Sequence, residues 1–214
     1  MKKLVFFLLY VLSVASPLGL YLFNSATGYD TYTLSIVLGV FSFIMICNQF
    51  ILASRPAFIV ETFGTKGLLT LHQIVPVLVV ILAAIHSSLK EANGYGDSFQ
   101  TLFGSLAWVT FIVVIVFSLL LMANPKWMHI FKHKSLKAWI NQKTGLTYQK
   151  ARVLHNITVL AGIMILIHVL LASSSDFSSN PIGLAWMVMW MIVSLGLYLV
   201  YRLKGRTLKG KQHE

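Results

Sequence analysis

Six long apolar runs, at about 4–23, 32–53, 67–89, 101–123, 153–172 and 182–201, leave this chain few ways to fold. Each is close to the length a helix needs to cross a bilayer, about 20 residues. The runs are continuous rather than alternating with period two, so they read as helices and not as strands of a β-barrel. Only 11% of the 214 residues are charged, against roughly a quarter in a soluble domain. That is too little polar surface to coat a soluble core. The sequence predicts an all-α integral membrane protein, a six-helix bundle forming one domain over residues 1–214.

Charge placement agrees with this count. Of the 17 lysines and arginines, all but Lys90 lie in the N-terminus, the gaps 54–66 and 124–152, and the tail. Those segments share one side if the six runs alternate. The opposite gaps, 24–31, 90–100 and 173–181, hold Lys90 with Asp30, Glu91, Asp97 and Asp176. The positive-inside rule then puts both termini in the cytoplasm of a multi-pass cell-membrane protein. The formal charge of +11 thus has a topological origin, and no nucleic-acid partner is expected. The lone Cys47 sits in an apolar run and supports no disulfide framework.

The start, MKKLVFFLLYVLSVAS, resembles a signal peptide. Its apolar character continues through PLGLYLF, so it is expected to remain as the first span. No internal repeat is evident. In the connector, WMHIFKHKSLKAWI sets Trp127, Ile130, Phe131, Leu136, Trp139 and Ile140 among lysines. A short interfacial helix against anionic headgroups is expected there; a docking face for a soluble partner is the other reading.

Seven histidines occur. His213 is in the tail. His129 and His133 share a helical face, but no third ligand is near and Lys132 and Lys134 would repel a cation. The other four lie inside spans: His72 and His86 in the third, His155 and His168 in the fifth. Ionisable residues within spans are costly and mark functional sites. A single imidazole bonded to a neighbouring helix would need no further role. Two helices with two histidines each, at separations of 14 and 13 residues, ask for one.

At 1.5 Å per residue the pairs are about 21 and 20 Å apart along their helices. Spans three and five run in the same direction. His72 is therefore level with His155, and His86 with His168. The pairs are too far apart to share one tetrahedral zinc. A flat cofactor with two axial imidazoles fits better, namely b-type haem held without covalent attachment. Periodicity does not select this reading. Fourteen residues at about 100° return to within roughly 40° of the start, but 13 leave an offset of about 140°. Either span five is distorted or the two haems approach it from different sides.

These residues resemble the ferric-reductase-like transmembrane domain shared by NADPH oxidases, ferric reductases and their bacterial relatives. That family carries H-x13-H in the third span and H-x12-H in the fifth. Here they read HQIVPVLVVILAAIH (72–86) and HNITVLAGIMILIH (155–168). Upstream, SRPAFIVETFGTKGLLTLH looks like the family's R-P…F-G…L-H approach, and YQKARVLH resembles its Y-x-x-x-R-x-x-H approach. The resemblance covers essentially the whole chain.

It implies two haem b groups passing single electrons from a cytoplasmic-side donor to an extracytoplasmic acceptor, ferric iron or oxygen. His72 and His155 would ligate the inner haem, His86 and His168 the outer. Arg55 and Arg152 stand near the inner level, either as partners for haem propionates or as ordinary positive-inside anchors. Several members place an aromatic between the haems; here that region is Leu160-Ala161-Gly162-Ile163, suited to close packing against a macrocycle or a helix. Pro76 frees a backbone carbonyl in the third helix, and either kinks it beside the inner haem or serves ordinary helix packing.

The 214 residues contain no G-x-G-x-x-G fingerprint. FAD and NAD(P)H are therefore expected not to bind this chain. The donor would be a separate cytoplasmic flavoprotein or a membrane quinol, with the basic connector and tail as a landing surface for an acidic reductase. No catalytic side chain is assigned. Two other readings stand beside this one. One is the haem-bearing, quinol-linked membrane subunit of a methionine sulfoxide repair system, from the same superfamily. The other is a non-redox six-helix transporter with a histidine proton relay, although the spans offer few other ionisable residues.

Overall fold

The computed structural model describes residues 1–24, 30–122, 133–172 and 180–204. They form eight helices: α1 (Lys2–Asn24), α2 (Thr31–Ala53), α3 (Ala57–Ala92), α4 (Phe99–Leu121), α5 (His133–Thr144), α6 (Tyr148–Leu154), α7 (Ile157–Leu170) and α8 (Pro181–Leu203). No strand occurs among the described residues. Six segments are long and apolar enough to cross a membrane: α1, α2, α3, α4, α6 with α7, and α8. The chain is a multi-pass, all-helical membrane protein.

Helix ends follow local chemistry. Asp30 caps α2, its carboxylate accepting the Thr33 N–H at 2.7 Å, and that bond holds the Asp30 carboxyl below its ordinary pKa. Ser98 and Thr101 form a capping box at the start of α4. Asn180 accepts from the Gly183 N–H ahead of Pro181, which occupies the first turn of α8.

Helix α2 is central. Ile44 and Cys47 are fully buried, and the helix packs against Leu184, Met187, Met191 and Tyr198 of α8. Lipid tails are as apolar as these side chains, so polar links and close packing must fix which helices meet. The Trp190 indole N–H donates to Asn48 Oδ1 at 3.0 Å, and Asn48 Nδ2 donates to Ser13 Oγ at 3.0 Å. One amide thus joins α8, α2 and α1. Asn48→Leu breaks both bonds and strands the indole N–H. A stability loss of about 1–2 kcal/mol is expected, read as a lowered unfolding midpoint in detergent; an unchanged midpoint would contradict this role.

Helix α3 has 36 residues, about 54 Å of straight helix against a hydrocarbon core of about 30 Å. It is not straight. Gly64 adopts φ 66 and ψ 167, a conformation that glycine takes at little cost. The segment before the break is held to the start of α1. Lys2 Nζ lies 3.0 Å from Glu61 Oε2, and the Phe6 and Phe63 rings meet edge-on at 4.7 Å. The backbone therefore leaves helical geometry at Gly64 and not at Pro76, where the sequence suggested a kink.

The fifth span is interrupted too. His155 and Asn156 separate α6 from α7. There Asn156 N–H bonds Val153 O at 3.0 Å, Thr158 N–H bonds His155 O at 3.2 Å, and Val159 N–H bonds Asn156 O at 3.0 Å. These are three-residue steps, which turn the chain by about 120° each instead of 100°. Each tightened step removes roughly 20° of the offset between His155 and His168. Span five is thus distorted at the histidine itself, one of the two alternatives that the 13-residue spacing left open.

Candidate functional site: two stacked imidazole pairs

The histidines meet in the pairs that depth predicted. The His72 and His155 rings have centroids 6.0 Å apart and planes at 70°. The His86 and His168 centroids are 6.3 Å apart, with planes at 89°. Two imidazoles on opposite sides of one metal, with metal–nitrogen bonds of about 2.0 Å and ring radii of about 1.2 Å, have centroids about 6.4 Å apart. Edge-to-face packing of rings covers a similar range. Which atoms face the gap therefore matters more than the distance.

Tethers to neighbouring helices address this. His86 Nδ1 lies 2.6 Å from the Ser35 carbonyl of α2, and His168 Nδ1 lies 2.8 Å from the Gln100 carbonyl of α4. A carbonyl can only accept, so both Nδ1 atoms carry a proton. In the neutral ring Nε2 then holds the free lone pair, the form that ligates metals. His155 Nδ1 lies 2.9 Å from Ser118 Oγ. His72 Nδ1 is buried and has no partner among the described residues. Sequence reasoning missed these tethers, because backbone carbonyls leave no sequence signature.

It also missed Gly39 and Gly104. A Cβ on Gly39 would lie 2.8 Å from His86 Cε1, and one on Gly104 2.7 Å from His168 Nδ1. The available signal was a glycine within each of spans two and four, which means nothing until the partner helix is known.

The inner pair opens on a cavity of about 360 Å³. Leu68, Pro76, Val79 and Val114 supply apolar wall, while Arg55, Arg152 and Arg202 bring three guanidinium groups, and among the described residues no carboxylate lines the cavity. Uncompensated guanidinium charge suits an anionic ligand with planar oxygen pairs. Arg55 and Arg152 were expected at this level. Arg202 was counted only among the tail's basic residues. Its Nη2 donates to Asn156 Oδ1 at 2.8 Å, and the Tyr198 hydroxyl donates to the same oxygen at 3.3 Å. Helix α8 is thereby tied to the residue beside His155. Arg55 has φ 50, a left-handed conformation that costs a non-glycine residue about 1 kcal/mol or more.

The outer pair borders a smaller cavity of about 80 Å³, shared with Gly39, Phe43, Lys90, Gln100 and Met187. Lys90 Nζ lies 4.2 Å from the ring centroids of both Tyr32 and Tyr95, a double cation–π contact that fixes the one basic residue of this end.

Other expectations resolve simply. Gly162 faces Phe50 of α2, whose ring a Cβ would meet at 3.0 Å, so the small residues of α7 receive a helix side chain. Helix α5 covers the second half of the predicted interfacial segment; Trp127, Ile130 and Phe131 lie outside the described residues, as do His129 and His213. Trp139 on α5 is exposed. Among the described residues no group of three or more His, Cys, Asp or Glu could hold a bare metal ion. Comparison with family models, with curated proteins and with solved structures found no match to this chain.

Proposed function

We propose that this chain is a transmembrane di-haem b cytochrome of the ferric-reductase-like type. It would pass single electrons from a donor on the arginine-rich side to an acceptor on the Lys90 side. The observation that carries this is the pair of stacked imidazole pairs, spaced at 6.0 and 6.3 Å. In the outer pair both rings are tethered so that Nε2 is the free atom.

The residues fit the group unevenly. The inner cavity, about 360 Å³, falls within the range of small-molecule sites, about 300–1,000 Å³. Its guanidinium groups match a ligand with two carboxylates on one edge. The outer cavity, about 80 Å³, falls below that range, so the outer assignment rests on the imidazoles. When bound, haem supplies a one-electron iron couple. His72 with His155, and His86 with His168, would hold the two haems, and a pair of imidazole ligands suits electron transfer rather than oxygen binding. Ser118 and the carbonyls of Ser35 and Gln100 fix ring orientation and raise ligand basicity. Arg55, Arg152 and Arg202 would neutralise propionates.

By the positive-inside rule the arginine-rich side is cytoplasmic. The donor is a separate flavoprotein or a membrane quinol, and the acceptor is ferric iron or oxygen. An absorption spectrum of purified protein tests the reading. Dithionite-reduced b-type bands with about two haems per chain are expected. A histidine proton relay predicts none, and absence of haem after expression with ample supply would sink the proposal.

A further inference from the structure

The two outer imidazoles are held by two copies of one device. In α2 the Ser35 carbonyl accepts the His86 Nδ1–H, and Gly39, one turn later, lies against the ring. In α4 the Gln100 carbonyl accepts the His168 Nδ1–H, and Gly104, again four residues on, lies against that ring. Helix α2 packs on α3, and α4 packs on α7, as two hairpin-like pairs. Sequence around the histidines repeats as well. Leu71-His72-Gln73-Ile74 parallels Leu154-His155-Asn156-Ile157, and Ile85-His86 parallels Ile167-His168. The two helix pairs thus present their histidines in similar local settings.

Aligned on the two carbonyls, Ala53 of α2 corresponds to Ser118 of α4, each 18 residues on. Both line the inner cavity. Ser118 bonds His155 Nδ1. Its counterpart is a methyl group, and of the four Nδ1 atoms that of His72 is the one without a partner among the described residues. An alanine at position 53 offers no hydroxyl of the kind Ser118 supplies to His155.

We propose that Gly39 and Gly104 are positioning residues for the outer pair. Each lets a helix turn press against an imidazole. The Nδ1–H then reaches a main-chain carbonyl and Nε2 is left with its lone pair free. A Cβ at either position would come within 3.0 Å of two ring atoms. The ring could retreat only by giving up its short bond to the carbonyl. Orientation of the outer ligands is thus written into backbone contacts, where no side-chain change elsewhere can replace it. The proposal rests on the haem reading for its cofactor only; the tethering stands without it.

Gly39→Ala and Gly104→Ala test it, with Gly19→Ala and Gly196→Ala as controls, since a Cβ at those two meets nothing within 4 Å. Two readouts are used: nitrogen-15 spectra of histidine-labelled protein, and haem per chain. In wild type, His86 and His168 should show the Nδ1-protonated form. Gly39→Ala should move only the His86 signals and Gly104→Ala only those of His168. Each should halve haem content, from two equivalents to one, and the controls should keep both. Unchanged histidine signals and full haem in either variant would overturn the proposal. A wild type without haem would count against the cytochrome reading, while the nitrogen spectra would still decide this one. If an alanine variant fails to fold, the double variants Gly39→Ala/His86→Ala and Gly104→Ala/His168→Ala decide instead. They should fold as the histidine single variants do, because the clashing ring is gone. Persistent failure would show that the glycines serve something other than these rings.

Discussion

Replacing His168 by alanine is expected to cut bound haem from two equivalents per chain to one, and to leave the inner equivalent intact. His155→Ala should do the reverse. Each site has two imidazoles, on different helices, and no third metal-binding side chain joins them among the described residues. Removing one therefore leaves that site a single imidazole and no replacement side chain among the described residues. The levels are about 20 Å apart along the helix, so the untouched pair keeps its own tethers. A redox titration that shows two steps in wild type should show one in each variant. Loss of both haems from either variant, with the helices still folded, would mean that the sites are not separate. Loss of the inner haem alone from His168→Ala would contradict the pairing.

The second large effect concerns the arginines. Neutralising all three, as Arg55→Gln, Arg152→Gln and Arg202→Gln together, should speed release of the inner haem by at least about 100-fold. Hydrogen bonds to charged groups contribute about 1.5–3 kcal/mol each, and two propionates would lose theirs. The Tyr198 hydroxyl still donates to the Asn156 oxygen that Arg202 now engages at 2.8 Å, so α8 keeps a tie beside His155. Haem transfer to an excess of an apo-globin measures the rate. Haem dimethyl ester, which lacks the charges, should be held equally by wild type and variant. Equal release of ordinary haem from both proteins would remove the arginines from the site. Arg55 adds a structural argument: a surface turn free of functional demand would relieve φ 50 with glycine.

The sequence makes some of this plain and conceals the rest, for physical reasons. Six spans are legible because hydrocarbon requires each backbone polar group to be bonded within its own segment. Length and composition then mark the helices directly. Histidine levels are legible because helical rise is nearly constant. What the sequence hides depends on neighbours. Gly39 and Gly104 look like ordinary glycines in apolar helices until α3 and α7 bring imidazoles against them. Ser118 looks like one hydroxyl among many, and its importance appears only opposite His155. Arg202 looked like an anchoring charge because its distance from span five in sequence concealed its contact with Asn156. Pro76 drew attention as a helix breaker, yet Gly64 has the non-helical backbone. The break at His155 was anticipated only as a conflict between 13-residue spacing and helical periodicity.

Gly64 also divides α3 into two lengths that answer to different things. From His72 to His86 the distance is a count of residues along unbroken helix, and it sets how far apart the two imidazole levels stand. Before Gly64 the chain belongs to a clasp around the start of α1, made by Glu61, Phe63, Lys2 and Phe6. A helix running rigidly through position 64 would make the clasp and the histidine ladder one lever, and any tilt at the membrane surface would move both histidines. With the non-helical residue there, the clasp and the ladder are set by different contacts. The height of the protein in the bilayer and the spacing of its two sites are separate variables.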